Sequence, residues 1–164
     1  MQRRGSVPRD GRSNAWPNRV RPLLARVEKL VTRRAHMTFI DEITLDAVTG
    51  AAEGSLFVDP HADYLKDHFP GAPMLPGLLM LEAAVRIAAA VWSARDPEQL
   101  RAGAVLEHVA RLLVVRRVVP GETFVVRAQM ITDGDRPGAA SFTARGTVAG
   151  LTVIRARFRL KALA

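Results

Sequence analysis

Residues 64–92 read YLKDHFPGAPMLPGLLMLEAAVRIAAAVW, and this stretch determines how the rest of the chain has to fold. From residue 78 to residue 92 the only ionisable side chains are those of Glu82 and Arg86. Apolar side chains therefore surround any helix drawn here, which is typical of a buried helix rather than an amphipathic one. Such a helix needs cover on every side, and the two charges inside it are costly unless they are paired or used.

The segments on either side of this helix predict the layer that covers it. Before it, residues 37–45 and 51–59 are predicted strands, and after it the β-like segments are 105–118, 123–131, 141–148 and 151–163. The predicted order is two strands, one long apolar helix and then several strands joined by short turns. This order is typical of an α+β fold. We expect a curved antiparallel sheet wrapped around the helix, with a partner subunit completing the cover.

Three groups near the start of the helix suggest chemistry. Burial disfavours an ionised carboxyl, so a buried Glu82 is expected to be protonated near neutral pH and to serve as a general acid. His68, in a loop rich in proline and glycine, is a candidate base. The N–H of Gly77, at the positive end of the helix dipole, would suit a carbonyl oxygen that gains negative charge. Together they describe β-elimination next to a carbonyl; a structural histidine in an ordinary loop is the alternative.

Composition limits the other classes of function. The 164 residues predict one domain, and the absence of cysteine excludes disulfides and thiolate chemistry and makes the cytoplasm the default location. Residues 1–36 hold ten basic and two acidic residues, whereas residues 37–164 are balanced at 14 of each. We therefore expect a basic, flexible extension over 1–36, with a possible short helix at 21–34, and a domain over 37–164.

The extension is interpreted as a solvated leader, with docking to an acidic partner or anionic surface as the alternative. Because the domain is neutral and has few aromatic residues, we expect no nucleic-acid binding. No segment is expected to span a membrane. His36, His61 and His108 show no spacing typical of a metal site, so no metal is expected.

The run HFPGAPMLPG at residues 68–77, followed by Glu82-Ala83, resembles the signature of the bacterial 3-hydroxyacyl-acyl-carrier-protein dehydratases, which have the hot-dog fold. The resemblance extends more weakly from about residue 37 to residue 160. It implies a long apolar helix enclosed by a curved antiparallel sheet, and dimers joined edge to edge. Each active site would then take its histidine from one subunit and its glutamate from the other.

The same resemblance implies roles for single residues. His68 would remove the C2 proton of the substrate, Glu82 would protonate the departing C3 hydroxyl, and the Gly77 N–H would hold the thioester oxygen. Phe69, Pro76 and Arg86 are expected to bind substrate beside them. The substrate would be carried on the phosphopantetheine of an acyl carrier protein, with no other cofactor, and the product would be a trans-2-enoyl thioester made in fatty-acid, polyketide or polyene synthesis.

Two residues depart from the family pattern. Arg86 stands where glutamine is usual, and at i+4 from Glu82 it either pairs with that carboxylate or points towards phosphopantetheine or another subunit. Asp67 replaces the usual glycine before His68. These changes support a rival hypothesis, a low-activity or scaffolding subunit of a heterodimer with another hot-dog chain. A hydratase or thioesterase acting on coenzyme A esters is a further alternative within the fold.

The last predicted strand carries a row of arginines at alternate positions, Arg155, Arg157 and Arg159. Such a row is usually a solvated strand face. As a minor hypothesis, either this row or the pair Arg116 and Arg117 attracts an acidic carrier protein.

Overall fold

The structure is a computed structural model that describes residues 40–131 and 136–163. The elements in these ranges are β1 (Glu42–Asp46), β2 (Ala51–Phe57), α1 (Gly77–Arg95), β3 (Ala104–Val114), β4 (Thr123–Ile131), β5 (Ala139–Val148) and β6 (Leu151–Ala162). The predicted strands and helix are all present, with ends shifted by a few residues. The predicted extension over 1–36 and the first residues of the first predicted strand lie outside the described residues.

All strands of the described chain join one antiparallel sheet in the order β1-β2-β4-β5-β6-β3. α1 follows β2 and precedes β3, so the helix connection carries the chain across the sheet to its far edge. The sheet packs around α1, with β4 as the strand that the helix covers most. This arrangement confirms the predicted α+β class and the hot-dog fold.

Alternation along the strands separates an inner face from an outer face. In β6 the residues of the inner row, Ile154, Ala156, Phe158 and Leu160, are buried. Arg155 and Arg157 between them are exposed. β5 and β6 are joined at Ala149 and Gly150, which both have positive φ, as a two-residue hairpin turn with the twist of the sheet requires. The strand alternation and the hairpin predicted from the sequence are thereby confirmed.

The inner face of the sheet is packed against α1 with little space to spare. Phe124, Phe142 and Phe158 are fully buried there, and the Phe142 and Phe158 rings stack with centroids 6.0 Å apart. Gly146 of β5 lies directly beneath Phe124, so that a Cβ at this position would overlap the Phe124 ring. A residue without a side chain is therefore needed here for the ring to reach the core.

α1 is covered on most of its surface, but not on all of it. Buried residues of the helix include Met80, Ala84, Ile87 and Val91, whereas Leu78 is 74% exposed. The helix is long and apolar enough to meet the length and composition criteria for a membrane span. In the fold 61% of the relevant window is buried, and its apolar character is explained by its place at the centre of the sheet.

β3 forms one edge of the sheet and presents apolar side chains to solvent. Val105, Leu106, Leu112, Leu113 and Val114 are each between 36% and 44% exposed. The strand is 11 residues long and pairs only with β6 within the described chain. Long apolar edge strands are unusual in a monomer because their free N–H and C=O groups accept another strand.

Candidate active site

The histidine loop lies between a short 3-10 turn at Asp63–Leu65 and the start of α1. Phe69 adopts φ 59°, the left-handed region that bulky residues rarely occupy, and Gly71 follows with φ 85°. The Ala72 N–H donates to the Phe69 carbonyl at 3.0 Å and closes the turn. Leu75 is then fixed to the segment after β3, since its N–H donates to the Val118 carbonyl at 2.8 Å. A strained turn held from both sides is typical of loops that orient a functional side chain.

His68 is oriented by this loop. Its Nδ1 lies 3.1 Å from the Met74 carbonyl oxygen, and its ring meets that of Phe69 edge to face with centroids 4.6 Å apart. A carbonyl accepts only, so Nδ1 must carry the hydrogen in this contact. The neutral tautomer that results has its lone pair on Nε2. The loop therefore fixes the orientation of the His68 ring, and its role as a base stays a prediction.

Gly77 begins α1 directly after Pro76, whose carbonyl accepts from the amides of Leu79 at 2.9 Å and Met80 at 3.2 Å. The Gly77 amide precedes these and has no helical acceptor, as is general for first-turn N–H groups. A Cβ on Gly77 would lie 3.3 Å from Cγ2 of Val114, so the helix start approaches β3 closely. The predicted oxyanion donor is therefore at a helix N-terminus and beside the apolar edge of the sheet.

Glu82 is not buried within the protomer, so the prediction of an acid enclosed by the helix packing was wrong. Its side chain is 44% exposed because α1 leaves the side of the helix that carries Leu78 and Glu82 uncovered by its own sheet. Arg86, 18% exposed, donates from Nε to Oε1 of Glu82 at 2.9 Å. Of the two alternatives for Arg86, the structure supports pairing with Glu82.

Within the described residues, His68 and Glu82 make no hydrogen bond or ion pair with each other. The structure places His68 and Phe69 in the loop before α1, Pro76 and Gly77 at the start of the helix, and Glu82 further along it. Asp67, next to His68, is exposed, and the two side chains form no hydrogen bond or ion pair with each other in the described chain.

Sequence reasoning missed the Met74 carbonyl, because a backbone acceptor leaves no signal in residue types. It also missed the fixing of the loop to Val118, which depends on tertiary structure.

No group of three or more metal-ligating side chains occurs in residues 40–131 and 136–163. His61 and His108 are exposed, and His36 lies outside the described residues. The turn after β3 is held by Glu122, which accepts from Arg116 at 2.8 Å and from the Val119 N–H at 2.9 Å.

The sequence of the chain is similar to those of a known family and of named relatives. Residues 31–157 match the sequence model of the FabA-like domain family. The chain is 26% identical over 106 residues to the 3-hydroxyacyl-[acyl-carrier-protein] dehydratase FabZ of Clostridioides difficile, covering 65% of this chain and 74% of that one. It is 26% identical over 136 residues to the FabZ of Acidiphilium cryptum, covering 82% and 81%.

Among solved structures, the dehydratase heterocomplex ApeI:P from Xenorhabdus doucetiae is similar with a TM-score of 0.57 and 18% identity, covering 77% of this chain and 99% of that one. A likeness at this identity concerns the fold.

Proposed function

The chain belongs to the family of FabA-like domains, and we propose that it eliminates water from a 3-hydroxyacyl thioester held on an acyl carrier protein. The product is a trans-2-enoyl thioester. The observation that carries the proposal is the orientation of His68, whose Nδ1 is held by the Met74 carbonyl so that Nε2 can accept a proton. Relatives named as dehydratases of this substrate class support the reaction.

The first half of the reaction is proton removal from C2 by Nε2 of His68. As the C2–H bond breaks, its electron pair moves towards the thioester carbonyl and then forms the C2=C3 double bond. The free Gly77 amide, supported by the helix dipole, stabilises the negative charge on that carbonyl oxygen. His68 ends this half as an imidazolium.

The second half is loss of the C3 hydroxyl with its bonding electron pair. Glu82 in its acid form donates a proton to this oxygen, and the leaving group is water. Glu82 ends as a carboxylate, so the site is reset when the proton on His68 returns to Glu82 through solvent. Because elimination changes no net oxidation state, the proposed reaction needs no redox cofactor, and the phosphopantetheine arm of the carrier serves only to present the substrate.

A second copy of the chain is proposed to complete the site. Glu82 and Leu78 lie on the uncovered side of α1, and Gly77 approaches Val114 on the apolar edge strand β3. Pairing of β3 with the same strand of a partner would extend the sheet and cover these groups. In the resulting dimer, His68 of each subunit works with Glu82 of the other.

The setting of the proposed activity is cytoplasmic fatty-acid synthesis or a related polyketide or polyene pathway. The partner proteins are the acyl carrier protein and a hot-dog subunit of the same or a different kind. The match to FabZ dehydratases favours the fatty-acid type of substrate.

One observation favours a second candidate, a low-activity subunit of a heterodimer. The Arg86 Nε donates to Oε1 of Glu82 at 2.9 Å, so this oxygen is already engaged within the protomer and is not directed at a substrate. In that case the partner subunit supplies the competent acid and this chain supplies His68. Hydration or hydrolysis of coenzyme A esters on the same fold is a further alternative, which the test below separates by product.

The proposal is tested by presenting the purified protein with 3-hydroxyacyl carrier proteins of graded chain length and following the loss of water by intact mass. We expect water loss with at least one chain length and no hydrolysis of the thioester. Hydrolysis instead of water loss would assign the chain to the thioesterases, and no reaction with any length would contradict the proposal for the protein alone. Activity only after addition of a second hot-dog subunit would favour the heterodimer.

A further inference from the structure

A groove of about 610 Å³ lies on the outer face of the sheet, on the side away from α1. Strands β2, β4, β5 and β6 form its floor, and its polar lining includes Glu53, Gln129, Thr143 and Thr147 together with three arginines, Arg127, Arg145 and Arg155. The groove contains none of the residues assigned to the dehydratase site. Its volume is within the range of small-molecule sites in proteins.

Strand register places the three arginines side by side. Arg127 of β4 is directly opposite Arg145 of β5, and Arg145 is directly opposite Arg155 of β6. Neighbouring strands lie about 4.8 Å apart, so three guanidinium groups leave the sheet in one short row. Like charges directly opposite each other destabilise a sheet, so an anion bound among these groups would offset their repulsion.

Two of the arginines are held in place by neighbouring side chains. The Arg127 Nη2 donates to Asp46 Oδ2 and to Thr49 Oγ1, both at 2.8 Å. Hydrogen bonds from Thr49 and then from Arg127 hold the pKa of Asp46 well below its usual range, so this carboxylate stays ionised. Arg145 donates from Nε to Thr152 Oγ1 at 2.9 Å, which leaves its two terminal nitrogens for a ligand.

The remaining charges are distributed unevenly along the groove. The one carboxylate in its lining, Glu53, lies opposite Arg127 in the register of β2 and β4, and Asp46, outside the lining, accepts from the same arginine. Arg155 has no hydrogen-bond acceptor or carboxylate partner among the residues that the structure describes. The unbalanced positive charge is therefore at Arg145 and Arg155, and Arg157 in the next row adds to it opposite Thr143.

We propose that this groove binds a small molecule carrying two or more phosphate groups. Guanidinium groups recognise phosphate oxygens through paired hydrogen bonds, and adjacent threonine hydroxyls and an amide add donors of the same kind. A concave groove of this volume fits a compact polyanion better than the broad surface of an acidic protein. The proposal is independent of the dehydratase reaction, and its test requires no turnover.

Isothermal titration calorimetry with inorganic diphosphate, at low salt, tests the groove directly. We expect saturable binding with one site per chain, weakened more than about tenfold in Arg145→Gln/Arg155→Gln and unaffected in Arg101→Gln/Arg117→Gln. The second pair removes the same charge from exposed arginines outside the groove. Circular dichroism confirms that both double variants are folded.

Two further arms identify the source of the phosphate. Displacement of diphosphate by coenzyme A would assign the groove to a phosphorylated carrier molecule and support the proposal, whereas displacement by inorganic phosphate at equal concentration would assign it to the free ion and overturn the requirement for two phosphate groups. Equal weakening in the two double variants, or the absence of saturable binding, would overturn it. A further outcome is that a carrier protein without its prosthetic group binds where diphosphate does not, and loses that binding in Arg145→Gln/Arg155→Gln. That result would show that the ligand of the groove is a protein, and it would overturn the proposal.

Discussion

The two halves of α1 differ in what surrounds them. From Ile87 to Ala94 almost every side chain is enclosed by the sheet of the same chain, and the exception, Ala89, is itself half-buried. Before Ile87, the half that carries the candidate chemistry leaves Leu78 and Glu82 open to solvent. The first region is complete within one protomer, and the second is not.

The difference assigns stability to the C-terminal half of α1 and function to its N-terminal half. The C-terminal half stabilises the fold by burying apolar surface within the protomer, where for example the ring centroids of Trp92 and Phe142 lie 6.4 Å apart. The N-terminal half has a free amide at Gly77, a half-exposed carboxylate at Glu82 and an apolar strand edge beside them. We infer that the protomer folds around the C-terminal half and becomes an enzyme when a second subunit covers the N-terminal half.

The largest effect is expected for the proposed catalytic pair. Replacing His68 by Ala or Glu82 by Gln should lower the rate of water loss by about 10²- to 10⁴-fold, since each change removes one proton-transfer group. Unfolding by urea should be nearly unchanged, because neither side chain is in the core. His61→Ala and Glu98→Gln, which change the same residue types at exposed positions, are the matched controls. Near-normal turnover in either site variant would exclude that residue from the mechanism.

A substitution in the C-terminal half of α1 should instead lower the stability of the fold. Ile87→Ala is expected to reduce the free energy of unfolding by about 2–5 kcal/mol, because it leaves a cavity at a position with no exposed surface. In the dissociated protomer, Leu78→Ala makes a similar change on the open side of the same helix and should cost less than half as much. Denaturant titration of both variants measures the contrast, and equal losses would show that the two halves are packed alike.

The smallest effect is expected at Arg86. If the hydrogen bond from Arg86 holds Oε1 of Glu82 away from the substrate, Arg86→Gln should raise the rate of water loss a few-fold. The change in stability should be within about 1 kcal/mol, as for other partly exposed helix pairs. Arg101→Gln, which removes the comparable pair with Glu98 on the surface, is the control. An unchanged rate in Arg86→Gln would show that the pair does not limit the acid, and a lower rate would make Arg86 a substrate-binding residue.

Sequence reasoning predicted the elements well, because the periodicities of 2 and 3.6 are local properties. β4 was predicted with its observed ends, and the hairpin at Ala149-Gly150 follows from turn chemistry alone. The motif also pointed to His68 and Gly77, and the i+4 spacing allowed the pair formed by Glu82 and Arg86.

The burial of Glu82 was predicted wrongly for a physical reason. An apolar helix indicates that cover is needed, but not whether the same chain supplies it, and here the sheet covers one end of the helix better than the other. The outer groove was missed for a similar reason. Alternation places Arg155 on the outer face, but only the register of β4, β5 and β6 brings Arg127 and Arg145 beside it.

The central claim is that one active site takes His68 from one subunit and Glu82 from another, and mixing two inactive variants tests it most directly. His68→Ala and Glu82→Gln are unfolded together, refolded as a mixture and assayed for water loss from the 3-hydroxyacyl carrier protein. With random pairing, half of the dimers are mixed and each has one intact site, so about a quarter of the wild-type activity should return. If both residues act within one protomer, the mixture should stay as inactive as its components, and the account would be contradicted.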